Sequence, residues 1–368
     1  MTPIPRRHRT LALSASCLGI AMLSGCGLFD RGPTPEQVRA DIAKRIPNGV
    51  ADREGWARDI QAAFAAQELE PSSAHLCAVI AVVGQESGFQ ADPAVPNLPA
   101  IARKAIAERA AKFHMPAFVV DAALQMRAPD GRTYAERLDA LRTEQQLSAL
   151  FEEMTARLPL GSGRLFARLN PVHTAGPMQV GIAFAQAHAR GYPYPLAGSS
   201  IRHEVFTRRG GLYFGTKHLL AYPVAYPKLL YRFADYNAGW YASRNAAFQH
   251  AVSVASGRSL ARDGDLLRPG ASMDAPGATE AALRTLGPAL GMDDAAIRRT
   301  LGQGESPRFD QGSLYRQVYA LADRKAGKPL PRALLPEIDL HSPKISRQLS
   351  TAWFAQRVDA RWKQCMAR

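Results

Sequence analysis

No run of apolar residues in this 368-residue chain reaches the roughly 18 that a helix needs to span a bilayer, which argues against a polytopic membrane protein. Low-complexity tracts and short-period repeats are missing too, and with them the grounds for disorder, coiled coil or solenoid. Cysteine is scarce, four residues in all, and a chain of this length can bury an ordinary core without disulfides or a structural metal. The nine histidines never fall at a zinc-ligand spacing beside cysteines or acids, so no metal or cofactor is implied. Alternating strand patterns with hairpin turns are scarce, which makes the fold class mainly α. Acid is the minority charge: 32 Asp and Glu face 46 Lys and Arg, a net charge of +14. With 46% apolar and 21% charged residues, the composition is that of a globular protein of one large domain or two.

The first thirty residues have their own pattern. Arg6, Arg7 and Arg9 form a basic start, and Thr10 to Leu23 is an apolar stretch of small residues too short to span. That is the form of a secretory signal peptide. It ends Leu23-Ser24-Gly25-Cys26, which resembles a bacterial lipobox, in which the cysteine sulfur receives a diacylglycerol and the chain is cut before it. Cys26 is therefore the expected lipidated N-terminus, anchoring the chain in a membrane. Gly27, where an Asp would favour inner-membrane retention, points to the outer membrane and a domain facing the periplasm. Removing residues 1–25 takes three Arg and no acid, leaving +11. A basic exported protein meets anionic headgroups and cell-wall carboxylates rather than nucleic acid. Cys17 leaves with the leader and Cys26 is consumed by lipid. Cys77 and Cys365 remain in an oxidising compartment, where a disulfide between them is expected; two free buried thiols are the alternative.

Along the mature chain, Thr34-Pro35-Glu36-Gln37 is a capping box with proline in the first turn, and Val38, Ile42 and Ile46 continue the helix until Pro47. Trp56, Ile60 and Phe64 mark a second helix, and Leu76, Ile80 and Val83 a third, starting near Ser72 or Ser73. Further capping boxes are expected at Thr133 with Glu136 and Thr143 with Gln146. Pro227 should open a helix carrying Leu230, Phe233 and Asn237. Ile345, Leu349, Trp353 and Trp362 should form a long amphipathic helix after Ser342-Pro343. Residues 159–175 and 255–277 are rich in loop formers. Residues 94–158 look like a self-contained helical segment.

The stripe of the third helix runs onto Glu86 and Ser87 at its last turn. A carboxylate there meets desolvation and the negative end of the helix dipole, both of which favour its protonated form. That is what a general acid for glycosidic cleavage requires. Three segments bear on this. Gln85-Glu86-Ser87-Gly88-Phe89 resembles the Glu-Ser-x-Phe motif of the lytic transglycosylase and goose-type lysozyme superfamily. Ala175-Gly176-Pro177-Met178-Gln179-Val180 resembles its Gly-Leu-Met-Gln-Ile segment, and Phe233-Ala234-Asp235-Tyr236-Asn237-Ala238-Gly239 its Ala-Ala-Tyr-Asn-Ala-Gly segment. Between the last two, residues 211–220 are similar to the helix usually found there. The resemblance implies that Glu86 is the single catalytic acid and then base. It also implies that Ser87 lies near the sugar, that Met178 and Gln179 line the cleft floor, that Tyr236 orients Glu86, and that Asn237 holds the cleft backbone or a sugar amide. The whole chain also resembles a family of bacterial lipoproteins described only as a domain of unknown function.

The expected organisation is a signal peptide over 1–25, a tether over 26–34, a lysozyme-like domain over 35–93 and 159–325, a helical insertion over 94–158 walling the glycan cleft, and a C-terminal helical extension over 326–368. Pro177 and Asp235 depart from the superfamily pattern, as does the long interval between Glu86 and Gly176. His203-Glu204-Val205-Phe206-Thr207 has Thr where a zinc-protease helix needs its second His, leaving Glu204 as a helix-start residue. Arg208-Arg209 is expected on a solvated face. The expected function is cleavage of the β-1,4 bond between N-acetylmuramic acid and N-acetylglucosamine in peptidoglycan. The alternative is a non-catalytic, peptidoglycan-binding envelope lipoprotein with a lysozyme-like cleft.

Overall fold

The computed structural model describes residues 32–157, 170–196, 199–340 and 349–368. The expected leader, Cys26, and Ser342, Pro343 and Ile345 lie outside the described residues. Helix α1 (Pro35–Arg45) starts from a formed capping box: Thr34 Oγ1 accepts from the Gln37 amide and Gln37 Oε1 from the Thr34 amide, at 3.3 and 2.8 Å. Helix α2 (Arg53–Ala66) buries Trp56, Ile60 and Phe64, and α3 (Ser73–Glu86), capped by Ser72, is apolar on nearly every face. An α-helix buried all round needs partners on all sides. For α3 these are α1, the later helices α10 (Arg208–Leu220) and α11 (Leu230–Ala238), and the last helix α17 (Thr351–Met366).

Residues 94–157 form helices α4 (Leu98–Lys112), α5 (Ala117–Gln125), α6 (Tyr134–Asp139) and α7 (Glu144–Ala156), with capping boxes at Thr133 and Thr143. They are not self-contained. Leu98, Leu138, Leu147 and Leu150 share one core with Val205, Phe206, Tyr213 and Phe214. That core also takes in the two-residue ladder of β1 (Thr174–Ala175) and β2 (Val180–Gly181), and helices α8 (Ile182–Ala187) and α9 (Ile201–Phe206). Polar ties cross the same seam: His203 Nε2 meets Glu152 at 2.8 Å, and the Asn170 amide donates to Ser148 Oγ at 3.1 Å. A sequence pattern shows which face of each helix is apolar but not what covers it, so the shared core was not legible.

Helix α10 stands between two cores. Leu212 and Leu219 face the α1–α3 side, and Tyr213 and Phe214 the α4–α7 side. A third core is built from α12 (Ala242–Ser256), α13 (Ala278–Thr285), α14 (Gly287–Leu290), α15 (Asp294–Leu301) and α16 (Ser313–Ala326). Buried Arg244 ties it on: its guanidinium donates to the Ser306 and Gly304 carbonyls and lies 4.1 Å from the Tyr241 ring centre.

Two boundaries differ from expectation. Helix α11 begins at Leu230, three residues after Pro227, because 227–229 form a turn in which Lys228 O accepts from the Tyr231 amide. The last helix begins at Thr351, capped by Ser350; Leu349 and Ser350 instead pair with β3 (Asp339–Leu340) as strand β4 (Leu349–Ser350). Nor is α17 an extension. Phe354, Ala355, Val358 and Cys365 lie in the same core as α3, and Cys365 is disulfide-bonded to Cys77, Cα to Cα 5.5 Å, across 288 positions.

Candidate functional site

Glu86 is the last residue of α3 and is half-buried. The loop after it is tightly held. Ser87 Oγ donates to the Val83 carbonyl at 3.2 Å and accepts from the Gln90 amide at 3.3 Å. Ser87 is 8% exposed, so its hydroxyl braces the loop. Gly88 and Phe89 follow with φ of +60° and +65°. A left-handed phenylalanine is strained by roughly 1–3 kcal/mol and persists only where packing fixes it. Here the Trp56 ring meets the Phe89 ring edge-on at 5.3 Å.

The second motif segment lies in a groove of α10. A Cβ added to Gly211 would come 2.4 Å from the Pro177 ring, and one added to Gly215 would come 2.4 Å from Met178 Sδ. The two glycines therefore let the Pro177-Met178 backbone lie against the helix. Pro177 is accommodated by that groove. Met178 is fully buried, so its side chain anchors the segment. Gln179 follows with φ of +49° and is half-buried; its side chain accepts from Thr174 Oγ1 at 3.2 Å and donates to the Gly176 carbonyl at 3.2 Å.

Tyr236 joins these segments. Its hydroxyl donates to the Met178 carbonyl at 2.7 Å. Burial raises its pKa well above the ordinary tyrosine value, and the nearby Glu86 charge adds to the rise. Tyr236 is therefore a permanently neutral donor within electrostatic reach of the carboxylate. Asn237 is exposed, and its Oδ1 accepts from Thr351 Oγ1 at 2.8 Å, tying α11 to the start of α17.

Asp235 is fully buried. It accepts from the Tyr222 and Tyr226 hydroxyls at 3.0 and 2.7 Å, and from the Tyr241 and Ser243 amides at 3.1 and 2.6 Å. Burial raises its pKa; the bonds from Tyr226, Ser243 and Tyr222 pull the other way. Asp235 thus fixes the turn between α11 and α12.

One part of the site was not anticipated. His218 on α10 packs edge-on against Tyr236, with ring centres 5.0 Å apart, and against Phe184 at 4.5 Å. Its carbonyl accepts from the Trp240 indole at 2.7 Å. Phe184, His188 and Trp240, each half-buried, pack on one another. Burial lowers the His218 pKa to about 4; the Asp235 carbonyl pulls the other way, yet neither ring nitrogen makes a well-formed hydrogen bond. The sequence signal was faint: aromatics four apart at 184 and 188, and a Trp directly after Gly239. Glu204 lies in the first turn of α9, as expected, buried against Arg209 and the Tyr192 hydroxyl. One other expectation changes. Arg208 and Arg209 are not simply solvated: Arg208 joins Asp52 and Asp59, and its guanidinium lies over Trp56.

The chain belongs to the family described as protein of unknown function DUF1615, whose model matches residues 49–368. It is 51% identical over 358 residues to the uncharacterized protein YaiW of Escherichia coli (strain K12), covering 96% of this chain and 97% of that one. No solved structure matches.

Proposed function

We propose that this protein is a peptidoglycan lytic transglycosylase, anchored through Cys26 in the outer membrane and facing the periplasm, with Glu86 as its single catalytic residue. The observation that carries this is the meeting of three segments far apart in sequence: Glu86 at the end of α3 acts electrostatically on Tyr236, and Tyr236 holds the Met178-Gln179 backbone. Glu86 protonates the glycosidic oxygen, which leaves the anomeric carbon of N-acetylmuramic acid as the hydroxyl of N-acetylglucosamine. The acetamido group of the N-acetylmuramic acid ring stabilises the positive charge at its anomeric carbon, the substrate-assisted exception to the two-carboxylate scheme. Glu86 then takes the proton of that sugar's 6-hydroxyl, whose oxygen closes on the anomeric carbon to give an anhydro product. Tyr236 supports the carboxylate as a neutral neighbour, and Gln179 contacts the glycan.

The test is Glu86→Gln on purified cell walls, read by zymogram and by product mass. Gln keeps the shape but cannot donate a carboxylic proton, so turnover should fall about 10²–10⁴-fold while folding and glycan binding survive. Unchanged turnover in the variant would overturn the assignment. Binding without turnover in the parent would move it to the non-catalytic, glycan-binding alternative.

A further inference from the structure

Six large apolar side chains are exposed among the described residues, and four of them fall within fourteen positions: Phe113 at 57%, Phe118 at 72%, Val119 at 39% and Met126 at 38%. They cluster on α5 and the turns flanking it. Seven of the nine residues of α5 are apolar, yet Leu124 is the only buried one. Its inner side is incompletely filled as well, for a cavity of about 140 Å³ lies against Ile106, Met115, Val120 and Phe151. An apolar helix that is only partly packed within and unshielded without marks an interaction face.

The charges around it select the partner. Among the described residues Lys112 and Arg127 pair with no carboxylate, Arg109 donates to the Asn170 carbonyl and not to an acid, Glu108 faces Lys104 at 3.9 Å, and Asp121 is the one acid in the sequence between Arg109 and Arg127. A second copy of the chain on this face would bring the same cations together around a two-fold axis. An anionic lipid surface would neutralise them and take up the phenylalanines at headgroup depth. No helix among the described residues is long and apolar enough to cross a membrane, and α5 needs only to lie in the interface. We infer that the α4–α5 tip is a membrane-docking element that inserts Phe113 and Phe118 into an anionic phospholipid surface. It acts independently of Glu86 and of the proposed anchor at Cys26.

The chain of residues 32–368, which carries all three cores and the disulfide but no acylated cysteine, allows a direct test. It should co-sediment with vesicles of phosphatidylglycerol and phosphatidylcholine and bind phosphatidylcholine alone at least about tenfold more weakly. Phe113→Asp with Phe118→Asp should lose at least about tenfold in binding with an unchanged melting midpoint, since both side chains are exposed. Lys112→Glu, a milder change at an exposed position, should weaken binding by roughly fivefold or more. The inference is overturned if the parent fails to bind the mixed vesicles or if the double variant binds as well as the parent. It is equally overturned if the parent is a dimer that the double variant dissociates, because a second copy then covers the face.

Discussion

At residue scale, His218 gives the candidate site a pH signature independent of Glu86. Its pKa in the fold is about 4 against an ordinary 6.5. The unfolded chain therefore binds a proton that the folded chain refuses. The stabilising difference is full above pH 6.5 and is lost as pH falls from there toward about 4. Over that window the residue withdraws on the order of 3 kcal/mol. His218→Phe should flatten the loss of stability between pH 7 and 4.5, measured by urea unfolding at several pH values; an identical slope in both proteins would refute the assignment. Glu86 was legible in the sequence because a carboxylate at the end of an apolar stripe is conspicuous. Asp235 was visible as a departure, but its purpose was not, since its four donors come from Tyr222, Tyr226, Tyr241 and Ser243 and only the folded turn assembles them.

At element scale, α17 matters most to α3. The sequence marked its caps and apolar stripe imperfectly, because Leu349 fits a helical period yet sits in a strand. The capping boxes of α1, α6 and α7 were readable, since each depends on residues three apart. The docking of α17 on α3 is set by side chains nearly three hundred positions apart. Besides the disulfide, the Trp362 indole donates to the Ala74 carbonyl at 3.0 Å and Arg361 to Gln85 Oε1 at 3.1 Å. Cys77→Ala with Cys365→Ala should lower stability by about 2–5 kcal/mol. Trp353 and Trp362 should report the loosening of α17 by fluorescence at lower denaturant than in the parent. Coincident midpoints for the two proteins would show that packing alone holds this helix.

At the scale of the molecule, three cores meet through α10 and the turn after α11. The helical segment over 94–157 is part of the second core, so its removal uncovers Val205, Phe206, Tyr213 and Phe214. Each large apolar side chain returned to water costs about 1.5–3 kcal/mol. Deleting the segment with a short linker should give poorly soluble protein without a cooperative melting transition. A soluble remainder that melts cooperatively would mean that the second face of α10 can be covered in another way. The disulfide has a further meaning in time. Glu86 is synthesised well before α17, the helix that completes its surroundings, and before Cys365, which locks them 288 positions after its partner Cys77. A ribosome therefore releases α17 long after Glu86 has emerged. A chain stopped before Thr351 would carry Glu86 in an open core.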